Sequence, residues 1–181
     1  LKAHMAMGQL DALAGYLDAL EQDLSQVDTY VKSGNLMVDA VLNSKLSLAR
    51  QKDIALDCAA ELPEQLSVSD VDLCVILGNL LDNAVEACEK IPPEGRFLRV
   101  YCAVVKHQLY LSVQNSAKEE LDFDERNYIS KKRGNHGLGM KRVKVLVDQY
   151  QGFLNLQNQP GIFAAEVLLP LTSPQSPCAH P

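Results

Sequence analysis

Residues 71–90 run VDLCVILGNLLDNAVEACEK. Apolar or small residues recur at Val71, Cys74, Val75, Gly78, Leu81, Ala84, Val85 and Cys88. Spacings of three and four predict a helix that buries this stripe. The other side carries Asp72, Asn79, Asn83, Glu86 and Lys90. Ser69 falls at the N-cap, with Asp72 three residues on as a weak capping box. An Asn-x-x-x-Asn pair beside a buried stripe can simply face solvent. It can also offer an amide oxygen to a metal ion, or an N–H to a phosphate, without adding charge.

The 181 residues allow one full domain with a helical appendage, and 47% hydrophobic residues suffice for a core. A net charge of −6 argues against a nucleic-acid partner, because phosphate backbones select basic surfaces. No run of about 18 apolar residues is long enough to cross a membrane. A start at Leu1 with no leader pattern reads as a piece of a longer protein. Any membrane anchor is then expected upstream, with this portion on the cytoplasmic side. The cysteines at 58, 74, 88, 102 and 178 form no Cys-x-x-Cys pair and read as reduced thiols.

Upstream, Leu10, Leu13, Leu17, Leu20 and Leu24 mark one amphipathic helix. Val31-Lys32-Ser33-Gly34-Asn35 is a turn, and Val38, Val41, Leu42, Leu46 and Ala49 mark a second helix over 36–52. Residues 1–52 are therefore expected to form a helical hairpin that pairs with a second copy as a four-helix bundle. Packing of both helices on the following domain is the competing arrangement. Residues 53–170 are expected to be one domain, with strands at 54–59, 97–105, 108–113, 153–156 and 162–169. Gly152 is the expected C′ residue of a helix over 138–151. The polar stretch 116–136 reads as a long loop of the kind that serves as a lid, and 171–181 as a disordered tail. This order predicts an α+β fold: a mixed sheet with helices on one face.

Gly134-Asn135-His136-Gly137-Leu138-Gly139-Met140 opens the helix after that loop. Gly134, Gly137 and Gly139 let backbone N–H groups approach an anion at a helix N-terminus, although a flexible hinge reads the same way. Lys131, Lys132 and Arg133 either neutralise phosphate charge or form a solvated basic run. His136 is a lid contact or a turn residue. Lys141 and Arg142 oppose the dipole of the helix they begin, which is unfavourable unless an anion is near.

Asn79 with Asn83, followed by the 134–140 glycine stretch, resembles the N box and second glycine box of the GHKL (Bergerat) ATP-binding α/β sandwich. Gyrase, MutL and sensor histidine kinases share that fold. The resemblance implies Mg²⁺ and ATP as cofactors, with Asn83 as the metal ligand. It implies ATP contacts from Asn79, Asn83, Glu86, Asn115, Lys131, Lys132, Gly134, His136, Gly137, Leu138, Gly139 and Met140. Asn79 stands where the hydrolytic branches carry a glutamate base. An amide cannot be that base, which points to phosphoryl transfer rather than hydrolysis. The first glycine box is degenerate. Gln114-Asn115-Ser116-Ala117 holds neither Asp nor Gly, and Asn115 occupies the place of the adenine-binding Asp. This form resembles the quorum-sensing, AgrC-like histidine kinases, as do Ser33-Gly34-Asn35, Asp39, Leu42-Asn43-Ser44-Lys45 and Tyr150-Gln151-Gly152.

In that group a His-Asp pair begins the first bundle helix, and Leu1-Lys2-Ala3-His4 fits its continuation. The phosphoacceptor is then expected two positions before Leu1, with His4 as the rival. The implied function is ATP-dependent histidine phosphorylation in a homodimer held by the N-terminal hairpin, with a response regulator as the final acceptor. A non-catalytic nucleotide-sensing module that docks a partner, and a GHKL serine kinase, are the alternatives.

Overall fold

A computed structural model describes residues 30–118 and 139–171, with the backbone of 123–124 and 129–130. Helix α1 spans Leu36–Gln51 and strand β1 Ala55–Glu61. Helix α2 spans Asp70–Cys88, and strands β2 and β3 span Phe97–Val105 and Gln108–Ser116. Two-residue strands β4 (Phe123–Asp124) and β5 (Ile129–Ser130) pair with each other. Helix α3 covers Gly139–Gln149, and strands β6 and β7 cover Phe153–Gln159 and Ile162–Pro170.

Five strands form one sheet in the order β1-β2-β3-β7-β6, with β1 parallel to β2 and every other pair antiparallel. Alternation along the strands sends Leu98, Val100 and Cys102, Leu109, Leu111 and Val113, and Ala165, Val167 and Leu169 into the core. The three helices cover that side, α2 lying over β3 between α1 and α3. The expected α+β architecture is therefore the observed one. On the open side, Glu166 accepts hydrogen bonds from Tyr110 Oη (2.5 Å), Asn155 Nδ2 (2.8 Å) and Gln157 Nε2 (3.1 Å). Together they hold its carboxyl below the usual range, the Tyr110 bond contributing most.

Helix α1 packs on the domain expected to begin at residue 53. Val38, Leu42, Leu46 and Ala49 are buried in the same core as α2, so α1 is a layer of this domain. Its first turn is tied down locally. Asn35 Oδ1 caps Val38 N at 3.0 Å, while Asn35 Nδ2 donates to the Glu64 carbonyl at 3.0 Å. The Ser33 N–H and hydroxyl both donate to Asp39 Oδ1, at 2.7 and 2.6 Å. The stretch expected to be a turn is a fixed helix entrance. Residues 1–29 lie outside the described part.

Two expectations are corrected. The buried stripe of α2 is Leu73, Ile76, Leu77, Leu80, Leu81, Ala84, Val85 and Cys88. Val71 is 69% exposed, and Cys74, Val75 and Gly78 are only half-buried. The C′ position after α3 is held by Gln151 at φ +53°, not by Gly152. Gln151 N donates to Asp148 O and Gly152 N to Val147 O, the pair of bonds of a Schellman turn. Gly152 is required for a different reason: a Cβ there would lie 2.4 Å from Leu168 O and 2.7 Å from Leu169 Cδ2.

Strands β2 and β3 turn at Lys106 and His107, both at positive φ (47° and 62°). Leu171 N donates to the His107 carbonyl at 2.8 Å. Tyr30 and Lys32 line a cavity with Glu61, Leu62, Val104 and Val105. Asn43 holds the Val31 N–H and carbonyl, both at 2.9 Å, and Arg50 donates to the Tyr30 hydroxyl at 2.9 Å, so the first described residues run back along α1.

Candidate functional site

The candidate site lies where α2 meets the start of α3. Asn79, Asn83 and Glu86 occupy one stripe of α2 and are half-buried. Asn79 Nδ2 donates to the Val75 carbonyl at 2.6 Å, so its carboxamide is tethered to the preceding turn. Asn83 makes no hydrogen bond to any described residue, which leaves its oxygen available to an outside group. Glu86 faces Lys90 at 3.9 Å, a half-exposed pair of little energetic weight.

Gly139 opens α3 directly against these asparagines. A Cβ on Gly139 would lie 2.8 Å from Asn79 Oδ1 and 3.6 Å from Asn83 Nδ2. Residues about sixty positions apart are thus within contact distance, and the contact requires glycine. The adjacent Met140 turns the other way, into the core, and is 6% exposed. Lys131, Lys132, Gly134, His136, Gly137 and Leu138 lie outside the described residues, as does His4.

Asn115 departs from its expected setting. It lies within β3 rather than after it, 2% exposed, and pairs with Leu98 and Phe163 across the sheet. Its Nδ2 donates to Ser116 O at 2.9 Å. Ser116 connects this strand end to α2: its hydroxyl meets Cys88 Sγ at 3.4 Å and accepts from Phe97 N at 3.2 Å. Cys88 Sγ donates to Phe97 O at 3.2 Å, and burial raises its pKa. Cys58 and Cys102 are pushed up by burial to about 11 and about 12, so both are neutral thiols at pH 7. The four described cysteines are unpaired with one another.

The sequence reading missed what holds the far end of α3. Tyr150 Oη accepts from Ser69 N at 3.1 Å and donates to Asp72 Oδ2 at 2.6 Å. Ser69 is the N-cap of α2, but its hydroxyl makes no capping bond. Burial and the Asp72 carboxylate push the Tyr150 phenol above its usual range. A contact between residues 72 and 150 has no local signal in the chain.

A family model described as the GHKL domain matches residues 68–170, from the residue before the N-cap of α2 to the end of β7. The chain belongs to the GHKL domain family. The sensor histidine kinase TmoS of Ectopseudomonas mendocina is 30% identical over 94% of this chain and 18% of its own length. The sensor protein EvgS of Escherichia coli is 29% identical over 70% of this chain and 11% of its own. The chain thus spans less than a fifth of either curated relative. Among solved structures, a form of the catalytic domain of histidine kinase ThkA superposes with TM-score 0.62 at 16% identity, covering 76% of this chain and 93% of that one. Acinetobacter baumannii histidine kinase AdeS gives TM-score 0.56 at 18% identity, over 92% and 82%. This GHKL domain therefore has the fold of histidine kinase catalytic domains, and its sequence is similar to sensor histidine kinases.

Proposed function

We propose that this GHKL domain is the catalytic portion of a two-component sensor histidine kinase. It binds Mg·ATP and passes the γ-phosphate to a histidine, from which a response-regulator aspartate receives it. The observation that carries this reading is the seating of Gly139 on Asn79 and Asn83, which brings a helix N-terminus to two uncharged amides.

The donor set fits the magnesium the family implies. Among the described residues no cluster of three His, Cys, Asp or Glu side chains can hold a metal ion unaided. Mg²⁺ suits such a site because it takes few protein ligands and otherwise uses water and phosphate oxygens. Asn83, with its carboxamide free of described partners, would hold it, and the ion would supply charge neutralisation at the phosphates. Asn79 cannot act as a base, so an ordered water gains no activation from it and transfer to a protein acceptor is favoured. Asn115, at the place of the family's adenine-binding Asp, would accept a hydrogen bond from the adenine amino group through its Oδ1. The acceptor is a histidine just ahead of Leu1, with His4 as its competitor. Dimerisation through the hairpin of residues 1–52 would use surfaces other than the apolar stripe that α1 buries in the core.

Titration with ATP, with and without Mg²⁺, tests the reading on the wild type and on Asn83→Ala. The expected result is Mg²⁺-dependent binding that falls at least tenfold in the variant, the scale of a lost charge-assisted contact of about 1.5–3 kcal/mol. Binding by the variant equal to that of the wild type removes Asn83 from the site. Wild-type binding without any phosphotransfer, once the upstream histidine is restored, favours the nucleotide-sensing module instead.

A further inference from the structure

We infer that Tyr150 is a positioning residue for the nucleotide site, setting the placement of α3 on α2 through its bonds to Ser69 and Asp72. The inference rests on the reading of the α2–α3 junction as an ATP site.

Helix α3 meets α2 at two places. At its start, Gly139 abuts Asn79, and at its end, Tyr150 Oη bonds the N-cap amide and the Asp72 carboxylate of α2. Between these points the outer sides of the two helices do not close. A cavity of about 410 Å³ separates them, lined by Asp72, Val75, Lys141, Arg142, Val145 and Leu146. Met140, Val143 and Val147 hold the inner side of α3 in the core. Apolar packing is non-directional, so it fixes the axial position of the helix less sharply than directed hydrogen bonds do. The hydrogen bonds at the far end sharpen it.

Tyr150 is itself fixed by its backbone. The Schellman turn at Gln151 and the close approach of Gly152 to Leu168 O lock the chain just after it to β7. The phenol thus ties the end of α3 to the start of α2, while Gly152 ties it to β7. A slide of a few tenths of an ångström would be passed along a stiff helix to Gly139 and its N–H groups. Tyr150 touches no nucleotide; it acts through Gly139, Asn79 and Asn83.

The test is calorimetric titration of the full 181-residue chain with Mg·ATP, alongside thermal unfolding of the same samples. The variants are Tyr150→Phe, Asp72→Ala, Asp72→Asn and, as a control, Tyr110→Phe. The control also loses a tyrosine–carboxylate bond, but on the open side of the sheet. Tyr150→Phe and Asp72→Ala should weaken ATP binding about fivefold, the scale of one net hydrogen bond. Asp72→Asn keeps an acceptor oxygen and should restore affinity to within about twofold of wild type. Tyr110→Phe should lower the melting temperature by a similar amount and leave affinity unchanged. Wild-type affinity in Tyr150→Phe, or an equal loss in Tyr110→Phe, overturns the positioning role while leaving the ATP site standing. A wild-type chain that binds no Mg·ATP overturns the site and this role together.

Discussion

Replacing Gly139 by alanine separates stability from binding, because the two effects have different sizes. The new methyl would lie 2.8 Å from Asn79 Oδ1, inside any ordinary contact, but that oxygen ends a flexible side chain. Asn79 can swing away at the cost of its 2.6 Å bond to the Val75 carbonyl, about 0.5–1.5 kcal/mol. Alanine returns about 0.5–1 kcal/mol of helix propensity over glycine. The two nearly cancel, so the melting temperature should move by no more than about 4 °C. Binding has no such compensation. The displaced Asn79 and the crowded Asn83 amide, 3.6 Å from the methyl, both leave the positions they hold around Gly139. Loss of one charge-assisted contact at about 1.5–3 kcal/mol predicts at least a tenfold weaker Mg·ATP affinity. Titration and thermal unfolding of one sample read both effects. Wild-type affinity in the folded variant would refute the placement of the site at this contact. Unfolding in step with lost binding would show that the glycine serves packing alone.

Two further outcomes follow from the same geometry. Gly152→Ala should cost about 1–3 kcal/mol in urea unfolding, because its methyl meets the Leu168 backbone oxygen at 2.4 Å and no side-chain rotation relieves it; an unchanged midpoint refutes this. Glu166 has a lowered folded pKa, so the stability it contributes is present above its unfolded value of about 4.3 and is lost as pH falls through the folded value. Glu166→Gln should therefore be less stable at pH 7 but lose less on acidification from about pH 5 to pH 3; parallel curves would exclude the group from acid unfolding.

The sheet and the helix–sheet layering were legible in the chain because β-rich runs at 97–105 and 108–113 stand apart from the helical stretches, and Pro and Gly at 92–95 and 160–161 break the chain between elements. The rotation of α2 was not. With Val71, Leu73, Cys74, Val75, Ile76 and Leu77 all apolar, more than one stripe at helical spacing exists. The choice falls to the three surfaces packed on the helix: β3, α1 and α3. The two asparagines were readable because polar residues on so apolar a helix are few. Their meeting with Gly139, and the Tyr150 clamp, depend on how two helices lie together, which no local pattern encodes. Gln151 at positive φ was hidden for a related reason: the neighbouring Gly152 offered the more obvious C′ residue, while the close approach that demands it comes from β7.

The fastening of the first described residues to α1 has a mechanical side. Asn43 grips both the N–H and the carbonyl of Val31, Asp39 holds Ser33, and the Ser33 carbonyl accepts from Leu62 N at 2.8 Å. A pull on the chain at Tyr30 is therefore borne by a handful of polar bonds along one helix and one edge strand before it reaches the apolar core.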